Sequence, residues 1–352
     1  MSLAPAAHVE ANASGDTFVA SHDPVASSSV VDVVIRELRL ACELDLRHAG
    51  RRTVQVRARL EGRVGSPLLV VAGGISADRR VCADPALPRS GWWVAQAGRG
   101  KALDTQRFRL LAIDWLGSDG SLDVAIDPAD QADAIAAVLD RLGERRVAAF
   151  VGASYGAMVG LQFAARHGHR LQQLVAISGA HRPHPYATAW RALQRQVARL
   201  GRGEAGAATA LALARQWAML SYRTPEEFAE RFAAAPELRE GELVCASEAY
   251  LAHCGARYAA RWSSTTFLRL SESIDLQQVE PESIRVPTTV VAVAEDRLVP
   301  VDDAFELCER LGAYGSLRLL RSRFGHDAFL KEEERVDALL RALLADAHGA
   351  AA

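Results

Sequence analysis

The chain reads as an α/β protein whose central sheet is mostly parallel and is covered by a helical lid insertion. Two patterns carry this reading. Short continuous apolar runs, the mark of strands buried on both faces, alternate with amphipathic helical stretches along much of the chain. The alternation then fails between about Pro183 and Arg285, where the pattern becomes helical throughout.

The elements follow in order. Residues 1–30 are rich in Ala and Ser, carry no Lys or Arg, and are expected to form a disordered tail. They lack the basic start and apolar stretch of a secretion signal. "VDVVIRELRL" (31–40) and "TVQVRARL" (53–60) alternate apolar and polar residues, as antiparallel strands with one wet face do. The buried runs "PLLVVAGG" (67–74), "FRLLAIDW" (108–115), "RVAAFVGAS" (146–154), "LQQLVAISGA" (171–180), "TTVVAVAED" (288–296) and "SLRLLRS" (316–322) supply the parallel strands. "PADQADAIAAVLDRLG" is a helix with Pro128 near its start and Gly143 at its end. The expected division is a core of residues 31–182 and 286–352, with residues 183–285 as an all-helical lid.

Composition excludes several functions. Among 352 residues, 41 Lys and Arg nearly cancel 43 Asp and Glu, so there is no electrostatic footprint for nucleic acid or anionic lipid. No apolar stretch approaches the roughly 18 to 20 residues that a membrane span requires. The five cysteines, Cys42, Cys82, Cys245, Cys254 and Cys308, show no C-x-x-C spacing and no neighbouring His at metal-ligand spacing. This pattern suits reduced thiols in a cytoplasmic protein, and no metal is expected.

"GASYG" (152–156) lies where a buried strand gives way to the helix "YGAMVGLQFAARHG". A sharp strand-to-helix turn crowds the backbone beside the serine, which explains Gly152 and Gly156 and makes Ser154 the expected nucleophile. At a helix N-terminus the amide of Tyr155 can donate to an oxyanion. A serine hydroxyl needs a base and an acid to orient that base, which should follow it in the order acid, then histidine. Asp296 ends one buried strand and His326 follows the next, both at carboxyl ends of strands, where open α/β sheets place their sites. Alone, Asp296 reads as a loop acid and His326 as a helix cap. Together with Ser154, in this order, they read as a triad, with Glu295 and Asp302 as alternative acids. The second oxyanion amide is expected from "VVAGGISADRR", at Gly74 with Ile75 as the alternative.

With these residues placed, the chain resembles the homoserine O-acyltransferases of the α/β-hydrolase fold. The resemblance spans roughly residues 65–345 and rests on "GRGKALDTQRFRLL" (98–111), "LSYRTPEEFAERF" (220–232), "LRLSESIDL" (268–276) and "GHDAFL" (325–330) as well as the turn around Ser154. It implies an enzyme of methionine biosynthesis that moves an acyl group from acyl-CoA to the hydroxyl of L-homoserine through an acyl-serine, with no bound cofactor, as a homodimer. It further implies that Arg215 holds the homoserine carboxylate with Tyr222 nearby, and that Asp327 holds the amine. Arg215 and Tyr222 are two helical turns apart and so share a face. Succinyl-CoA and acetyl-CoA are both donors in this family, and only succinyl brings a second carboxylate. Arg79, Arg80 and Arg297 favour succinyl, whereas Leu298, where succinyl users often carry Arg, favours acetyl; the three cations tip the choice to succinyl. Serine as the acceptor, or a serine ester hydrolase with the same triad, are the alternatives.

Overall fold

The computed structural model describes residues 8–10, 17–19, 33–84, 86 and 91–348. The tail expected over residues 1–30 lies outside the described residues apart from two three-residue strands, β1 (His8–Glu10) and β2 (Thr17–Val19). The alternating stretches form a long antiparallel hairpin, β3 (Val33–Leu46) and β4 (Gly50–Arg63), as their period of two dictates. The buried runs become β5 (Leu68–Ala72), β6 (Arg109–Ile113), β7 (Ala149–Ala153), β8 (Leu174–Ile177), β11 (Thr288–Val293) and β12 (Gly315–Leu320). All pair in one sheet of order β1-β2-β3-β4-β6-β5-β7-β8-β11-β12, parallel from β6 to β12.

Helix α1 (Pro128–Leu142) starts where Asp127 accepts the Ala129 amide and Asp130 reaches back to the Asp127 amide, and it stops at Gly143 with φ 71°. Asp130 also accepts the Arg47 amide at 2.9 Å, which ties this helix to the turn of the long hairpin. Helix α2 (Tyr155–His167) packs on the sheet beside it, and α8 (Val301–Leu311) covers β11 and β12. Short α9 (Ala328–Lys331) and α10 (Glu333–Leu343) complete the core.

Between β8 and β11 the chain leaves the sheet to form α3 (Pro185–Leu200), α4 (Gly203–Tyr222), α5 (Pro225–Arg231), α6 (Ala246–Ala259) and α7 (Ser264–Asp275). The sequence suggested an all-helical excursion, and the structure departs from this. A small exposed hairpin, β9 (Glu237–Arg239) and β10 (Glu242–Val244), turns at Glu240 and Gly241, both with positive φ. Gly241 supplies a turn conformation that the helical periodicity of its surroundings obscured. Among the described residues no helix is long and apolar enough to cross a membrane, and all five cysteines are free.

Candidate active site

Ser154 sits between the end of β7 and the start of α2 with φ 55° and ψ −119°, a strained conformation for a residue with a side chain. The neighbouring glycines make the turn possible. A Cβ on Gly152 would stand 2.3 Å from the Gly156 carbonyl oxygen, and one on Gly156 would stand 2.1 Å from that of Ala72. Ser154 is held by its amide on the Ile177 carbonyl at 2.8 Å, and Gly156 by its amide on Gly73 at 2.9 Å. The turn is therefore locked to the strands on both sides.

The structure brings the three expected residues together. Ser154 Oγ lies 2.7 Å from His326 Nε2, and His326 Nδ1 lies 2.7 Å from Asp296 Oδ2. The other oxygen of Asp296 accepts the amides of Leu298 at 2.8 Å and Val299 at 3.0 Å, so the carboxylate cannot rotate away. Burial works to lower the pKa of His326, but the charge of Asp296 and its hydrogen bond outweigh this and hold it above the ordinary histidine value. The alternative acids are elsewhere. Glu295 accepts the Ser322 amide at 2.7 Å, and Asp302 lies in the first turn of α8.

Gly74 faces Ser154, for a Cβ built on it would stand 3.8 Å from Ser154 Cβ. Its carbonyl is turned away to accept from Trp115 Nε1 at 3.1 Å and from the Ala77 amide at 2.9 Å. Tyr155 is the first residue of α2, so its amide is among those without an acceptor inside the helix. Its side chain is buried, edge-on to Trp115, with its hydroxyl 2.7 Å from Ser273 Oγ.

A cavity of about 330 Å³ opens over Ser154 and is lined by the core and by α3, α4 and α7. Arg215 and Tyr222 share a face of α4 as their spacing predicted. Arg215 Nη1 is 3.4 Å from the Tyr222 hydroxyl, and its guanidinium lies 4.8 Å from the ring centre of Tyr258. Tyr222 in turn stacks on His326 with 6.1 Å between ring centres. Among the described residues Arg215 has no carboxylate within ion-pair distance. Asp327, beside His326, forms an ion pair with Arg223 at 3.1 Å. Burial raises its pKa more than the positive charges of Arg223, His326 and Arg215 lower it.

The arginines that the sequence suggested for a second substrate carboxylate are not in this cavity. Arg79 is paired with Glu37 at 2.6 Å and Asp114 at 2.7 Å, Arg80 lies 3.8 Å from Asp78, and Arg297 is exposed. Being near a site residue in sequence did not place them on the cavity side of their loops. The lining instead contains Arg182, Arg191, Arg215 and Arg223 against a single carboxylate, Asp327, and it includes Leu298. Arg223 follows Tyr222 directly and could have been noticed there. Arg191 lies in an amphipathic pattern where an arginine reads as a solvated face residue. Trp92, which also lines the cavity, carried no signal in the sequence.

The α/β-hydrolase fold family matches residues 67–333. The chain is 56% identical over 324 residues to a homoserine O-succinyltransferase of Xanthomonas campestris pv. campestris, covering 92% of this chain and 87% of the relative. It belongs to the homoserine O-acyltransferases of the α/β-hydrolase fold. Within this acyltransferase family it is also 31% identical over 292 residues to a homoserine O-acetyltransferase of Thermus thermophilus, covering 74% of each chain. The fold is shared with the crystal structure of a homoserine O-acetyltransferase from Bacillus anthracis, with a TM-score of 0.75 and 16% identity over 88% of this chain and 97% of that one.

Proposed function

We propose that the protein transfers a succinyl group from succinyl-CoA to the hydroxyl of L-homoserine. The observation that carries this is the 56% identity to a homoserine O-succinyltransferase across most of both chains. The chemistry of the cavity supports it, because a lining that holds arginines beyond those paired with acids, and the one carboxylate Asp327, suits the two carboxylates and one ammonium that a succinyl group and homoserine bring together.

In the proposed mechanism, Ser154 Oγ attacks the thioester carbon while its proton passes to His326 Nε2, and Asp296 holds the imidazole with Nδ1 protonated. The amides of Tyr155 and Gly74 take the developing oxyanion. The thiolate of CoA leaves with the proton from Nε2, and an ester on Ser154 remains. The homoserine hydroxyl then gives its proton to His326 and attacks the ester, and O-succinylhomoserine departs as Ser154 regains the proton. Arg215 binds the homoserine carboxylate, which its lack of an acidic partner favours. The Tyr222 hydroxyl lies beside Arg215, and Asp327 takes the ammonium, whose charge offsets the cost of ionising a buried acid. The insertion between β8 and β11 serves as the lid, excluding water so that transfer prevails over hydrolysis.

The reaction needs no cofactor besides acyl-CoA and involves neither membrane nor nucleic acid, and we place it in the cytoplasm. The exposed apolar side chains of the insertion, Leu213 and Leu220 on α4 and Leu238 and Leu243 on the β9–β10 hairpin, suit burial in a homodimer.

Intact-protein mass after mixing with succinyl-CoA or acetyl-CoA, before and after adding homoserine or serine, tests this reading. The expected result is a succinyl adduct that is absent in Ser154→Ala and is discharged by homoserine. An acetyl adduct alone would change the donor, discharge by serine alone would change the acceptor, and loss of the adduct to water at the same rate with or without amino acid would make the protein a hydrolase.

A further inference from the structure

The charges around the cavity do not balance, and the imbalance has an address. Arg182 faces Glu306 and Asp303, and Arg223 faces Asp327 and Glu227, so both are neutralised by the protein. On α3 the ratio is reversed. Arg191 and Arg195 share one carboxylate, Asp275: Arg191 Nη2 lies 2.6 Å from Oδ1, with Nε at 2.7 Å, and Arg195 Nη1 lies 2.6 Å from Oδ2. The cluster is buried, with Arg191 only 9% exposed, and it carries one net positive charge. A buried charge without a partner is costly, which makes this a place where an anionic ligand gains more than it would at the surface.

The surplus is also aimed. Arg191 lines the cavity over Ser154. Its Nε and Nη2 are held on Asp275, and Thr188 Oγ1, itself 2.9 Å from Asp275, accepts from Nη2 at 3.3 Å. Among the described residues Nη1 has no hydrogen-bond partner, so one edge of a fixed guanidinium is left over. Its charge reaches the catalytic base, lowering the pKa of His326 against the opposing pull of Asp296. Arg215, which among the described residues has no acidic partner, is on α4 beside Tyr222, so two anion sites lie on two different helices.

We propose that Arg191 determines donor specificity: its unoccupied guanidinium edge receives the distal carboxylate of the succinyl group carried on Ser154, with Asp275 and Thr188 fixing its orientation. The assignment rests on the succinyl-transfer reading above and gives that reading a physical basis where Leu298 offers none. Arg191 touches the substrate away from the reacting carbon, so its removal should alter which acyl group is chosen and leave the order of steps intact.

The test compares succinyl-CoA with butyryl-CoA, which has the same chain length and no distal charge. In the wild type, kcat/KM with homoserine as acceptor should favour succinyl-CoA. In Arg191→Met the preference should fall by about 10- to 100-fold, through loss of succinyl-CoA turnover with butyryl-CoA turnover retained. The ratio is taken on one sample and so does not depend on how much of it is folded. Arg191→Lys keeps the charge against Asp275 but lacks the fork needed to serve two carboxylates at once, so it should fold and still lose at least tenfold of the preference. An unchanged ratio in either variant, or equal loss with both donors, would overturn the proposal and make Arg191 a structural residue. A wild type with no preference for succinyl-CoA would reject the succinyl reading itself, and that result is visible before any variant is made.

Discussion

Replacing Asp296 by Asn changes one oxygen to an amide nitrogen, and the structure dictates which one. Oδ1 accepts two backbone amides, from Leu298 and Val299, so the oxygen of the new side chain must stay there. The nitrogen then takes the place of Oδ2, 2.7 Å from His326 Nδ1, where it can only donate. His326 must accept at Nδ1 and carry its proton on Nε2, which faces Ser154 Oγ at 2.7 Å. A donor thus stands where the nucleophile needs a base. Loss of the correct tautomer in such a triad costs about 10⁴ in kcat, or about 5.4 kcal/mol at 1.36 kcal/mol per tenfold. Both backbone hydrogen bonds survive, so the melting temperature should move by no more than a few degrees. The assay is the rate of CoA release from succinyl-CoA in a single turnover, with circular dichroism to confirm folding. A fall of less than tenfold in a folded protein would refute the role given to Asp296 and return attention to Glu295.

Four further outcomes are expected. The base must be neutral, and its pKa in the folded protein is raised, so acylation should be lost as pH falls through a value above the ordinary 6.5 or so of histidine, as a pH profile of single-turnover rates would show. The same shift means that protonated His326 stabilises the fold: this contribution is complete below about pH 6.5 and is lost as pH rises through the folded pKa, which would appear as a small decline in melting temperature. Arg215→Ala should raise KM for homoserine by roughly 10- to 100-fold while acyl-enzyme still forms at the wild-type rate, and equal loss of both half-reactions would count against its role. Gly156→Ala places a Cβ 2.1 Å from the Ala72 carbonyl oxygen and should destabilise the protein by about 1 to 3 kcal/mol in urea titration, with less soluble enzyme as the visible consequence.

The core and the geometry of the candidate site were legible because each depends on local rules. Short apolar runs alternating with amphipathic helices suit strands buried on both faces of a parallel sheet, and Gly152 and Gly156 are required by the sterics of a single turn. The order of Ser154, Asp296 and His326 then followed from the ends of the strands. What the sequence hid is tertiary. Arg79 was expected to face the substrate and instead binds Glu37 and Asp114, because the direction of a loop side chain depends on acids that are distant in sequence. Arg191 was passed over for the same reason: its character comes from sharing Asp275 with Arg195, and Asp275 lies at the end of α7. The β9–β10 hairpin was missed because two three-residue strands carry too little pattern to stand out among helices.

Strands β8 and β11 are hydrogen-bonded neighbours, with Leu174 opposite Thr288, yet the chain runs from α3 through α7 between them. The entropy of closing a loop grows only with the logarithm of its length, by about 0.6 kcal/mol per doubling. The sheet is therefore nearly indifferent to how long this excursion is or what it contains. Arg191 and Arg215 ride on the excursion, whereas Ser154, Asp296 and His326 belong to the sheet's own connections. Under the proposed mechanism, a lineage can rebuild the side of the cavity that selects substrates at almost no cost to the side that breaks and makes bonds.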